Sequence, residues 1–196
     1  MIDTNFYKLE LPVKFLKDDL KVDPVDSLLL SRPLTSDYMT QEAIEFFDKI
    51  KVTLPKRFLL ISVPPLGGNQ IHVDLGVTED KHVIPRYWAI NCPIVHTEVD
   101  THWYTKLPSV DSLTAPRAVG TPGNYPIGTV EMYQPHEVTE VQKSSLSGPT
   151  LVRVDVPHCV RNCHPTKTAG RISIRVSNFL PSWEKAVEFF KPWIAS

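Results

Sequence analysis

Within the apolar run Ile71-His72-Val73-Asp74, a neutral imidazole and a carboxylate stand two residues apart. In a strand, side chains two apart share a face, so His72 and Asp74 converge while Ile71 and Val73 pack behind them. Such a pair makes two ligands for a first-row metal; the competing reading is a surface or hydrogen-bonded pair, because His-x-Asp is common by chance. A third candidate ligand is His158, in Val154-Asp155-Val156-Pro157-His158-Cys159-Val160-Arg161-Asn162. It follows a proline that restricts it to an edge or a strand start. Taken alone, it reads equally as a core histidine bonded to a backbone carbonyl. Arg171-Ile172-Ser173-Ile174-Arg175-Val176 alternates, which places Arg171, Ser173 and Arg175 on one face. If that face is solvent, nothing follows. If it is interior, a buried guanidinium costs several kcal/mol unless it meets an anion. Arg171 with Ser173 would then offer a fork and a hydroxyl suited to a carboxylate.

The three segments say more together than singly. Two histidines and one carboxylate on a β scaffold form the facial triad of non-haem Fe(II) oxygenases, with open coordination positions. The expected metal is Fe(II), bound by His72, Asp74 and His158. Two neutral imidazoles and one carboxylate leave a net positive charge on a ferrous site, which favours an anionic co-substrate.

His72-x-Asp74, then His158, then Arg171-x-Ser173 resembles the 2-oxoglutarate- and Fe(II)-dependent oxygenase superfamily. The nearest likeness is to small phage-type and marine-microbial members related to aspartyl/asparaginyl β-hydroxylases. Trp88-Ala89-Ile90-Asn91-Cys92-Pro93-Ile94, Trp103-Tyr104 and Val156-Pro157-His158-x-x-x-Asn162 carry further echoes of it. The resemblance covers about residues 57–178. It implies a double-stranded β-helix with the metal at its mouth, Arg171 and Ser173 on the far carboxylate of 2-oxoglutarate, Asn91 near the metal-proximal end, and Trp103 and Tyr104 lining the pocket. Some β-hydroxylases lack the carboxylate ligand, whereas this chain has Asp74. The implied reaction is hydroxylation of a C–H bond in a small-molecule or peptide substrate, coupled to decarboxylation of 2-oxoglutarate to succinate.

The elements that must position these residues are short. The chain has 196 residues, 18 prolines and only 8 glycines, a balance that suits short strands joined by rigid turns. A chain of this length buries roughly 70% of its unfolded surface without crosslinks. Strands are expected at residues 57–63, 70–75, 86–95, 101–105, 128–133, 150–156, 159–162 and 171–178. Helices are expected at 40–52, capped by Thr40, and at 182–191, capped by Ser182 and stopped by Pro192. Residues 1–40 read as irregular, and 107–125, rich in Pro, Ser, Thr and Gly, as a long loop and candidate lid. Strands in one block flanked by helices predict a mainly β fold, a jelly roll or cupin-like double-stranded β-helix, as one domain. Its core would be residues 57–178, with 1–56 as an N-terminal extension whose one helix packs on the barrel and 179–196 as a C-terminal helix.

Charge and cysteine usage narrow the function classes. A formal net charge of −1 argues against a nucleic-acid surface, and no apolar run is long enough to span a membrane. Cys92, Cys159 and Cys163 make an odd count without a disulfide framework, which suits the cytoplasm. His96-Thr-Glu98-Val-Asp100-Thr-His102 could hold a second metal, although a solvated strand face explains it better. Cys159-x-x-x-Cys163-His164 resembles part of a zinc site without a fourth ligand. His82 and His136 read as surface residues. Besides an oxygenase, two readings remain open: a cupin-like isomerase, lyase or hydrolase on the same ligands, and a jelly-roll binding module needing neither metal nor anion.

Overall fold

The computed structural model describes residues 4–18, 20–22, 30–55, 57–77, 83–95, 99–108, 117–120, 126–175 and 180–196. It is mainly β. The first half comprises β1 (Phe6–Lys8), β2 (Leu30–Thr35), α1 (Gln41–Lys49), β3 (Arg57–Val63), β4 (Ile71–Val77), β5 (Val83–Pro85) and β6 (Trp88–Val95). The second comprises β7 (Val99–Lys106), β8 (Arg117–Gly120), β9 (Pro126–Tyr133), β10 (Val138–Ser145), β11 (Thr150–Arg153), β12 (His158–Asn162), β13 (Ala169–Ile174) and α2 (Trp183–Phe190). They form two antiparallel sheets. One runs β1-β11-β6-β13-β3-β2; the other runs β10-β7-β12-β4-β9-β8, with β5 hairpinned onto β4.

Alternation along β13 and β6 decides which way each residue faces. Ile90, Cys92, Ile172, Ile174, Phe58 and Leu60 turn to the outside of the first sheet, where α1, α2 and the N-terminal segment cover them in the largest apolar cluster. Phe47, Trp183 and Phe190 are fully buried there, and each contributes about 1.5–3 kcal/mol of burial. Both helices start as the sequence predicts: Thr40 Oγ1 accepts from Ala43 N–H at 3.1 Å, and Ser182 Oγ from Lys185 N–H at 3.3 Å. The other face of the sheet turns to its partner, where Leu59 and Ile61 meet Val160, and Ala89 and Val152 meet Trp103. Asn91, Arg171 and Ser173 share this inner face, and all three are buried.

Two expectations need correction. Residues 1–40 are not irregular throughout, because β1 and β2 form the two edges of the first sheet. The three-residue β1 is too short for a readable period. Pro33 hides β2, and it is tolerated there because the outer side of an edge strand needs no ladder donor. Residues 107–125 are not all loop, since β8 pairs with β9; residues 109–116 and 121–125, where most of the expected lid falls, lie outside the described residues. No helix among the described residues is long and apolar enough to cross a membrane.

One side chain ties the end of β12 to the rest. Asn162 Nδ2 donates to the carbonyls of Val63, Pro64 and Lys167 at 3.1, 3.0 and 2.8 Å, while its Oδ1 accepts from His164 N–H at 2.9 Å. Asn162→Ala strands these buried groups and is expected to cost about 1–3 kcal/mol, read by urea denaturation. Unchanged stability would show that the turn holds without it.

Candidate metal centre

β12 lies between β7 and β4 in the second sheet, and His158 stands opposite His72 on one side and Trp103 on the other. Residues paired across an antiparallel ladder point to the same face. The two imidazoles therefore share the inner face, with ring centroids 4.5 Å apart. Asp74, two residues beyond His72, joins them: His72 Nε2 lies 3.4 Å from Asp74 Oδ1. One ligand atom from each of His72, Asp74 and His158 falls within 4.8 Å of the others, all three residues are buried, and among the described residues no other His/Cys/Asp/Glu group of this kind occurs.

Two backbone carbonyls orient the imidazoles. His72 Nδ1 is 2.8 Å from the Gln70 carbonyl, and His158 Nδ1 is 3.0 Å from the Val156 carbonyl. A carbonyl only accepts, so each Nδ1 carries a proton, which turns each Nε2 to the gap. Burial, helped by His72, lowers the His158 pKa from 6.5 to about 3 against the pull of Asp74, so the ring is neutral. Burial alone would raise Asp74, but Arg175 and then His72 and His158 outweigh it and hold the carboxyl well below the usual range. Asp74 Oδ2 pairs with Arg175 Nη2 at 3.0 Å, while Oδ1 is buried without a hydrogen-bond partner. Two imidazole nitrogens and an orphaned carboxylate oxygen converging on one point suit a divalent cation of the first row.

The opposing sheet supplies a cation. Arg171 is only 7% exposed, and its Nε and Nη1 have no hydrogen-bond partner. Burial and then Arg175 lower its pKa to about 10, which leaves it charged at neutral pH. Ser173 follows on the same face and pairs in register with Asn91, whose Oδ1 is also buried and unbonded. Trp103, fully buried beside His158, stacks on Phe6 and spends its indole N–H on the Arg153 carbonyl at 3.0 Å. It is an apolar wall with no donor left for an anion. Tyr104 turns to the opposite face, with Oη 3.4 Å from Cys159 Sγ, and so away from the triad.

The other candidate ligands are employed elsewhere. Asp100 pairs with Lys143 Nζ at 2.6 Å and meets Cys163 Sγ at 3.3 Å, and His102 Nδ1 bonds Glu140 at 2.9 Å; His96, Glu98 and His82 lie outside the described residues. Cys159 is buried while Cys163 is exposed, and His136 is on the surface.

Three contributors escaped the sequence. Asn69, which looks like ordinary turn chemistry, accepts the Val160 N–H through Oδ1 at 2.6 Å, while its own N–H donates to the Val160 carbonyl at 3.1 Å. Gly68 is required beside it, because a Cβ there would collide with the Val160 carbonyl. Arg175 shares the face of Arg171 and Ser173, yet nothing in the sequence links it to Asp74. No family model, curated protein or solved structure matches the chain.

Asp74→Ala is expected to abolish stoichiometric Fe(II) binding in anaerobic dialysis; retained iron would move the ligand set elsewhere. The His158 shift also fixes a sign. Unfolding lets the ring take up a proton that the fold refuses, so metal-free protein loses stability as pH falls from 6.5 towards 3. His158→Gln should flatten that slope in denaturation curves across the interval, and an unchanged slope would assign it to other groups.

Proposed function

We propose that the chain is an Fe(II)- and 2-oxoglutarate-dependent dioxygenase that hydroxylates a peptide side chain, amino acid or small metabolite, on a double-stranded β-helix. The observation that carries this reading is the pairing of unlike sites across one gap: a His72-Asp74-His158 ligand set on one sheet and the buried Arg171, its Nε and Nη1 unbonded, on the other. The likeness of His72-x-Asp74, His158 and Arg171-x-Ser173 to that superfamily supports it. When bound, the iron and the keto acid supply oxygen activation, coupled to release of succinate and CO2.

The chain's own residues position and shield. His72 and His158 present Nε2 because the carbonyls of Gln70 and Val156 hold the Nδ1 protons, and Asp74 gives its unbonded Oδ1. Arg171 and Ser173 anchor the far carboxylate of 2-oxoglutarate, neutralising a guanidinium that is otherwise costly to bury. Asn91 stands beside Ser173 to meet the same ligand, and Trp103 with Val160, Leu59 and Ile61 keeps water from the walls. The Asp74–Arg175 ion pair favours a second reading, in which the carboxylate is structural and the protein is a cupin-like module that is not an oxygenase.

Anaerobic titration of the Fe(II)-loaded protein with 2-oxoglutarate separates the two. A saturable visible charge-transfer band is expected. Arg171→Ala should keep iron while weakening 2-oxoglutarate at least about tenfold, the loss of one charge-assisted contact of about 1.5–3 kcal/mol. Bound iron with no band would favour the second reading.

A further inference from the structure

Three guanidinium groups gather around Asp74, and among the described residues only Arg175 is seen in an ion pair. Arg175 follows directly on β13, the strand that carries Arg171 and Ser173, and pairs with Asp74 Oδ2. Arg86 arrives from the other sheet: its backbone N–H donates to the Asp74 carbonyl at 3.2 Å, just before β6, on the side of β4 where His158 pairs two residues earlier. The Nε atoms of Arg86, Arg171 and Arg175 are all cut off from solvent with no hydrogen-bond partner among the described residues. Arg175 is close enough to both others to disfavour their charge, and among the described residues Asp74 is the carboxylate that acts on both.

The charges do not close. Among the described residues three guanidiniums face one carboxylate, which leaves two positive charges in excess. A divalent metal and the doubly charged keto acid cancel each other when they bind, so the excess survives loading. With Arg171 engaged by the keto acid and Asp74 shared between Arg175 and the metal, Arg86 and Arg175 keep unspent donors next to the position where chemistry occurs. Buried charge without a partner is destabilising, and clusters of perturbed charged groups mark candidate ligand sites.

We propose that Arg86 and Arg175 form a second anion subsite, which recognises a carboxylate or phosphate group on the molecule to be oxidised. The subsite itself stands on the arginine geometry; that its ligand is the oxidised substrate rests on the dioxygenase reading. A neutral side chain or hydrocarbon would leave both guanidiniums unpaired, whereas an acid presents oxygens to two forked donors. The prime substrate is thus an anionic small molecule or an acidic or phosphorylated residue, and the subsite orients it from the Asp74 side of the metal.

The test uses metal-free, chelator-treated full chain, titrated calorimetrically with inorganic phosphate and separately with acetate. Wild type and Arg171→Gln are expected to bind one of the two probes, and Arg86→Gln to lose that binding at least tenfold, with Arg86→Lys intermediate. Tighter phosphate assigns a phosphate group, and tighter acetate a carboxylate. Arg86→Gln is also expected to raise the melting temperature of the unliganded protein, since it removes an unpaired charge, which a merely structural arginine would not do. Neither probe binding to wild type, or equal binding by Arg86→Gln, would overturn the proposal. So would loss of the 2-oxoglutarate band in Arg86→Gln with phosphate binding retained, because Arg86 would then serve the keto acid. Failure of wild type to give that band, with phosphate binding still dependent on Arg86, would remove the dioxygenase reading and leave the anion subsite standing.

Discussion

His158 and His72 meet because β12 pairs with β4 at that one register, and the whole site depends on the clamp that holds the pairing. The clamp is built outside the site. Gly68 lets the loop between β3 and β4 lie against the Val160 carbonyl, and Asn69 engages both backbone groups of Val160. Asn162 gathers three carbonyls where β12 ends. A one-residue slip of β12 would turn His158 to the outer face, where Cys159 and Tyr104 pack, and leave His72 and Asp74 without their third partner. The turn also carries Leu66 at a positive φ of 51°, a cost that the surrounding hydrogen bonds absorb.

The polar interior is a further consequence. In most two-layer β structures the space between the sheets is apolar throughout, and here it is so only at its flanks. Leu59, Ile61, Val63 and Val160 fill one side, and Trp103 with Ala89 and Val152 fills another. Between them lie two histidines, an aspartate and arginines with unbonded nitrogens. Stability comes instead from the outer face of the first sheet, where α1 and α2 seal a large aromatic and aliphatic cluster. The polar interior is supported from behind by this outer core.

Much of this was legible from pattern. Arg57–Val63 is a continuous β-rich run between turns and forms a strand with those bounds. The His-x-Asp spacing places two ligands on one face by strand geometry alone, and the Thr40 and Ser182 caps mark their helices. β10, Val-Thr-Glu-Val-Gln-Lys-Ser-Ser, was not legible: its side chains are mostly solvated, it lies at a sheet edge, and its residues lack an apolar period. Arg86 was hidden for another reason. It stands at the start of the apolar run leading into β6, and its importance comes from a backbone bond to Asp74 across the sheet, which no local pattern encodes. Tertiary convergence of like charges has no period to read.

The central claim is that His72, Asp74 and His158 bind one metal ion together. X-ray absorption at the iron edge of the anaerobic Fe(II)-loaded protein tests it most directly, by counting imidazoles around the metal. The account predicts two imidazole ligands with oxygen donors in wild type, and one in His158→Ala. An iron environment without imidazole, or one that His158→Ala leaves unchanged, would contradict it.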